Sequence, residues 1–137
     1  MKEFTLEILT PSKKFFSGPV TSITVPGTKG EFQVLYNHAP IISTLDIGKI
    51  KITDTEGKEQ IYADGGGVIE VQHNKVLLLV NSIENVSDID AARAKKSLER
   101  AKERLAAKKE QIDFQRAELS LRRAVNRLKL TGSYHNN

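Results

Sequence analysis

With 137 residues and a formal net charge of +4, the chain has room for one substantial core and an appendage, which excludes two large domains. It contains no cysteine, which excludes a disulfide framework and thiolate zinc sites and fits a reducing compartment. The longest aliphatic run, Val76 to Val80, is far short of the roughly 20 residues of a membrane-spanning helix, and the N-terminus lacks the apolar block of a secretion signal, so a soluble or peripheral protein is expected.

In chain order, Phe4, Leu6 and Ile8 alternate with Thr5, Glu7 and Leu9 as in a half-buried strand, closed by Pro11. Phe15 and Phe16 precede a turn at Ser17-Gly18-Pro19, after which Val20, Ile23 and Val25 read as strand up to Pro26. The Gly27 to Gly30 turn folds Phe32 to Leu35 back as a hairpin arm, and Asn37-His38-Ala39-Pro40 is a loop. Ile41 to Leu45 is a further strand, with Gly48 as punctuation before Ile50 and Ile52, and Asp54 to Gly57 has turn chemistry. Ile61 to Ala63, Val68 to Val71 and Val76 to Val80 follow, separated by a turn at Asp64-Gly65-Gly66-Gly67 and another at His73-Asn74, and a last strand ends near Glu84. Short strands about ten residues apart predict an antiparallel β-sandwich or flattened barrel over residues 1–86.

At Ser87 the chain changes character. Ser87 followed by Asp90 reads as a capping box that starts a helix. From there no Gly or Pro occurs until Gly132, and strong helix formers dominate. Residues 1–86 carry 8 basic and 10 acidic side chains, whereas residues 87–137 carry 13 and 7, so the bases collect in the helical half. Such a tail points to an acidic partner, a nucleotide, a nucleic acid or only a solvated surface.

Two apolar stripes run through this half, Ala91, Ala94, Leu98, Ala101 and Leu105, then Phe114, Ala117, Leu121, Ala124 and Leu128. At roughly 100° per residue their centres diverge by about 150° in an unbroken helix. A break near Glu110 to Asp113, with Asp113 as a second N-cap, makes them face each other in an antiparallel hairpin over residues 87–137. Because the stripes are rich in alanine, they bury little area at about 25 cal/mol per Å², against an ordering cost of roughly 1 to 2 kcal/mol per residue. The hairpin is therefore expected to be marginal and open to control by a ligand, with folded and extended forms both permitted.

The residues also carry a family resemblance. Gly30-Glu31-Phe32, Leu35 with His38-Ala39-Pro40, Leu45, Gly48, and Gly65-Gly66 before Val68-Ile69-Glu70-Val71 resemble, in order and spacing, the ε subunit of F-type ATP synthases. Ile89-Asp90-Ala91-Ala92-Arg93-Ala94 is similar to the nucleotide-binding motif of bacillus-type ε subunits, and Phe114 to Leu119 and Arg123 to Leu128 resemble their second helix. One segment departs: the usual Gly-Ile-Leu-Pro-Gly-His is here Gln33-Val34-Leu35-Tyr36-Asn37-His38.

The resemblance implies an α+β chain whose sandwich docks on the γ subunit and the c-ring, at the cytoplasmic face of a bacterial membrane reached only through that ring. It implies a non-catalytic central-stalk subunit whose hairpin inhibits ATP hydrolysis when extended and is held down by ATP. By matching position, ATP would be bound by Glu84, Ile89, Asp90, Arg93, Ala94, Arg100, Arg116, Arg123 and Arg127. Partner contacts would fall on Glu31 and His38 and, toward an acidic segment of the catalytic β subunits, on Arg104, Lys108, Lys109 and Arg122. The chemistry of the residues agrees, because Arg116, Arg123 and Arg127 at steps of seven and four present three guanidiniums on one helix face, suited to phosphate. Glu84 and Asp90 are acceptors for an amino group such as adenine's.

Plainer readings stand beside these. On composition alone the three arginines are a solvated face, and His38 is a structural hydrogen bonder. His38, His73 and His135 have no metal-ligand spacing, so Mg²⁺ accompanying the nucleotide would not be held by protein side chains alone. Asp64 to Gly67 lacks the ending of a Walker motif, and no Ser/His/Asp arrangement has a signature context, so no catalysis is expected. Aromatics in strand-core positions argue against a nucleic-acid partner. The alternative function is the same coupling subunit without nucleotide sensing.

Overall fold

Phe4, Leu6 and Ile8 are buried while the side chains between them face outward, and this alternation forms strand β1 (Phe4–Leu9). Among the described residues six further strands follow, β2 (Lys14–Gly27), β3 (Gly30–Val34), β4 (Ile41–Asp54), β5 (Glu59–Gln72), β6 (Lys75–Val80) and β7 (Ile83–Asn85). The computed structural model describes residues 2–107 and 111–132, with side chains from 2 to 107 and from 114 to 132. It divides into two compact units, Met1–Asn85 and Val86–Asn137.

In the first unit the strands run in the order β1-β6-β5-β4-β2-β3, β7 pairs with β5, and an added β1–β2 pairing closes the sheet on itself. All pairings are antiparallel except β1 with β6, which is parallel. Geometry requires the exception, since a ring of five strands (β1, β2, β4, β5, β6) cannot alternate direction all the way round. Ile23, Val25, Val34, Ile50, Ile69, Val71, Val76, Leu78 and Val80 fill the interior with the β1 residues, and Phe15 packs edge-on against Tyr62 at 5.8 Å.

Three expected breaks are absent. Ser17-Gly18-Pro19, Gly48 and Asp64 to Gly67 all lie inside 14-residue strands. The glycines there serve close approach instead of turning the chain: a Cβ on Gly67 would meet the Leu79 carbonyl oxygen at 2.0 Å, and Gly66 takes a left-handed φ of 83° where β5 changes partner from β7 to β6. The Asp54 turn forms as expected, with Asp54 Oδ1 accepting from the amides of Glu56 and Lys58 at 2.8 and 2.9 Å.

The second unit opens with a 3₁₀ turn (Val86–Asp88) and continues as α1 (Ala91–Ala107) and α2 (Gln111–Leu130). Ser87 lies in the 3₁₀ turn, and Asp90 caps α1, its Oδ1 accepting from the Arg93 amide at 3.1 Å. Asp113 lies within α2, which begins at Gln111, so the second helix starts before that acid. Ala94 and Leu98 pack against Ala124 and Leu128, with Ala91, Leu121 and Val125 at the margins. Early α1 meets late α2, which is an antiparallel hairpin. Ala101 and Ala117 are buried as well, but Phe114 is 39% exposed, so the second stripe leaves the seam before its first aromatic.

Candidate functional site

The helical unit gathers most of the residues expected to bind a nucleotide. Asp90 stands before the first turn of α1, where a carboxylate also complements the helix dipole. Its carbonyl accepts from the Ala94 amide at 3.0 Å, and the Ile89 amide donates to the Val86 carbonyl at 3.2 Å. Arg93 is exposed beside Ala94, whose methyl is turned into the seam and only 4% exposed.

Seam packing sets the positions of the arginines on α2. Ala94 and Leu98 lie against Ala124 and Leu128, so Arg93, Arg123 and Arg127 come from the same end of the hairpin, each next to a seam residue. Arg100 and Arg116 flank Ala101 and Ala117 further along; both are exposed, and Arg100 Nε donates weakly to the Lys96 carbonyl at 3.4 Å. Arg123 differs from the exposed arginines. It is half-buried, and its Nε is buried with no hydrogen-bond partner. An unpaired buried cationic donor is costly, by about 1–3 kcal/mol or more, and an anion that accepts from it removes the penalty.

Glu84 belongs to the β unit, half-buried on β7 and paired with Ala63. Arg104 and Arg122 are exposed on α1 and α2, while Lys108 and Lys109 lie outside the described residues. Glu31 is exposed on β3. His38 sits in a tight loop after it, its amide donating to the Leu35 carbonyl at 3.2 Å and its Nδ1 to the Ala39 carbonyl at 2.6 Å. Leu35, Tyr36, Ile41 and Ile42 flank that loop and are 51, 39, 36 and 73% exposed. Among the described residues no group of His, Asp or Glu is arranged to hold a metal, and no helix is long and apolar enough to cross a membrane.

One unusual group escaped the sequence reading. Asp64 is 2% exposed inside the β unit. One of its carboxylate oxygens accepts from the Gly66 amide at 3.0 Å, and the other is buried without a partner. Burial pushes its pKa from 3.8 up to about 6, against the lowering effect of backbone hydrogen bonds including those from Gly66 and Gly48. The run of glycines after it read as a turn, which hid the carboxylate.

Comparison with known proteins gives a consistent result over nearly the full length. Residues 3–86 match the family model described as the ATP synthase delta/epsilon chain β-sandwich domain, and residues 87–132 match its long α-helix domain. An ATP synthase epsilon chain from Pelotomaculum thermopropionicum is 53% identical over 127 residues, 93% of this chain and 94% of that one. One from Nitratidesulfovibrio vulgaris is 42% identical over 132 residues, 96% of this chain and 98% of that one. In fold, the chain is similar to a chain of the Euglena gracilis mitochondrial ATP synthase OSCP/F1/c-ring structure, with a TM-score of 0.74 at 22% identity, covering 88% of this chain and 76% of that one. It is also similar to a chain of the Tetrahymena thermophila central stalk/c-ring structure, with a TM-score of 0.65 at 15% identity, covering 95 and 97%.

Proposed function

Since the chain belongs to the ATP synthase delta/epsilon family, we propose that it is the non-catalytic epsilon subunit of the central stalk, with a hairpin that senses ATP and restrains ATP hydrolysis. The β unit docks on γ and the c-ring, Glu31 and His38 being among its contact residues, and the subunit is peripheral to the cytoplasmic face of the membrane. The matched chains belong to structures of an OSCP/F1/c-ring assembly and of a central stalk/c-ring assembly, which supports this partnership.

The observation that carries the sensing reading is the buried, unpaired Nε of Arg123, at the end of the paired hairpin that also holds Arg93 and Arg127. These three guanidiniums, with Arg100 and Arg116 further along, bind the phosphates of ATP, and within the helical unit Asp90, with Ile89 and Ala94 near it in the chain, accepts from its adenine amino group; Glu84 of the β unit is an acceptor of the same kind. Any Mg²⁺ that accompanies the nucleotide would be held through the phosphates and not by protein side chains alone. Because Arg93 and Arg123 lie on different helices, they converge only while the hairpin is closed, and a polyanion between them stabilises that form alone. Such a ligand contributes about 4 kcal/mol at a thousandfold excess over Kd, enough to dominate a seam made half of alanine. When ATP falls, the hairpin opens and offers Arg104, Lys108, Lys109 and Arg122 to an acidic segment of the catalytic β subunits, so ligand and inhibited partner compete by linkage.

Calorimetric titration of the full chain with ATP tests this. Saturable heat that Arg93→Ala and Arg123→Ala each weaken at least tenfold is the expected result. Absence of saturable heat overturns the sensing role and leaves a coupling subunit that does not respond to nucleotide.

A further inference from the structure

The loop that carries His38 is fastened to the β5–β6 turn by a reciprocal pair of asparagines. The Asn37 amide donates to Asn74 Oδ1 at 2.7 Å, and Asn74 Nδ2 donates back to Asn37 Oδ1 at 2.9 Å. Both residues take left-handed backbone, with φ of 62° and 59°. Asparagine is the non-glycine residue that tolerates this region best, and here each carboxamide is used. The Asn74 carbonyl also accepts from the Thr5 amide at 3.0 Å, and the Lys2 ammonium lies 5.3 Å from the centre of the Tyr36 ring. Three segments distant in sequence therefore meet at one point, and the exposed Leu35, Tyr36, Ile41 and Ile42 lie on either side of the clasped loop along the chain.

We infer that the Asn37–Asn74 clasp is a positioning device for docking, holding the His38 loop in its binding form before the rotor partner arrives. The inference rests on the docking role proposed above. An exposed loop left free would have to be ordered on binding, at roughly 1 to 2 kcal/mol per residue of backbone entropy; the clasp meets that requirement in the free subunit. Within the loop His38 Nδ1 donates to the Ala39 carbonyl at 2.6 Å, which fixes the ring inside the held loop. The chain so held carries exposed apolar side chains on either side of the loop, and fits a rotor partner with an apolar contact face.

The test uses the full chain, with Asn37→Gly, Asn74→Gly and the double variant. Glycine keeps the left-handed backbone and removes only the carboxamide. In the free chain, Asn74→Gly should speed amide exchange at Asn37 about fivefold or more, as expected for one lost hydrogen bond of about 1 kcal/mol. Each single variant should leave a reconstituted complex of γ and c-ring several-fold faster than the unaltered chain, and the double variant no faster than Asn74→Gly, because Asn74→Gly alone removes both bonds whereas Asn37→Gly removes only the one its carboxamide accepts. Unchanged exchange shows that there is no clasp in solution and overturns the inference. Faster exchange and a lower thermal midpoint with an unchanged dissociation rate also overturn it, since a purely stabilising bond behaves that way. Failure of the unaltered chain to join the complex overturns the docking role itself, a result distinguishable from either.

Discussion

The β unit and the helical unit are held together by different amounts of the same force. Inside the first, Leu6, Ile8, Ile23, Ile50, Ile69 and Leu78 are fully buried. In the second, the seam consists of Ala94, Leu98, Ala124 and Leu128, with little more at its margins. Each leucine or isoleucine buries three more carbons than an alanine, worth about 2 kcal/mol at the usual increment per methylene. A closed ring of strands with a branched aliphatic interior suits a surface that must stay the same through every turn of a rotor. On the proposed function, an alanine seam would suit a part that changes partners, since it would leave a balance for a bound anion to decide.

Truncating one core residue and one seam residue should separate the two units most clearly. Leu78→Ala leaves a cavity at the centre of the β unit and should lower its stability by about 2–5 kcal/mol, read from the denaturant midpoint followed by a signal from the sheet. Leu98→Ala should remove about 2 kcal/mol or more from the seam and reduce helical circular dichroism at 25 °C, while the sheet transition stays in place. If Leu98→Ala shifts the sheet midpoint as much as Leu78→Ala does, the two units are one cooperative body and the distinction is lost.

Asp64 departs from the pattern of the β unit, because among the described residues only it and Ser22 are polar side chains in an otherwise apolar interior. Its folded pKa of about 6 stands above the unfolded 3.8, so between those values the folded chain holds a proton that the unfolded chain has released. Stability from this group is therefore fully present below pH 4 and is lost as pH rises through 6, by about 3 kcal/mol in all. Asp64→Asn should flatten the stability profile across pH 4 to 6, with Asn Oδ1 still able to accept from Gly66. Denaturation of both chains at half-unit steps of pH measures the slope; equal slopes would mean that Asp64 titrates as an ordinary exposed carboxylate.

How far the sequence could be read follows the same division. Alternation in β1 and the alanine–leucine stripes were legible because burial repeats with the period of the element, and the hairpin followed from the divergence of the two stripes. Gly48 and Gly67 were misread because glycine marks both turns and close approaches; only the neighbouring backbone, the Leu79 carbonyl in the case of Gly67, distinguishes them. The parallel β1–β6 pairing comes from ring closure, which no local pattern records. Of the candidate site, Asp90 and the arginine spacing could be read along one helix, whereas the buried Nε of Arg123 and the Asn37–Asn74 pair depend on residues brought together only by the fold.

The smallest effect expected here belongs to the boundary between the units. Asp90 Oδ1 accepts the Arg93 amide at 3.1 Å at the start of α1, and Asp90→Ala should cost about 1 kcal/mol of helix stability. In a well-packed helix such a loss is hard to see. If the hairpin is as near balance as the proposed function requires, the same loss is close to a fivefold change in the population of the paired form, and fraying of α1 should appear as faster amide exchange through its first two turns. Asp90→Asn keeps the capping oxygen and removes the charge, and should restore slow exchange. If it does so without restoring ATP binding, capping and ligand contact at Asp90 are separate roles of one side chain; if it restores both, the carboxylate charge is not what the adenine end requires.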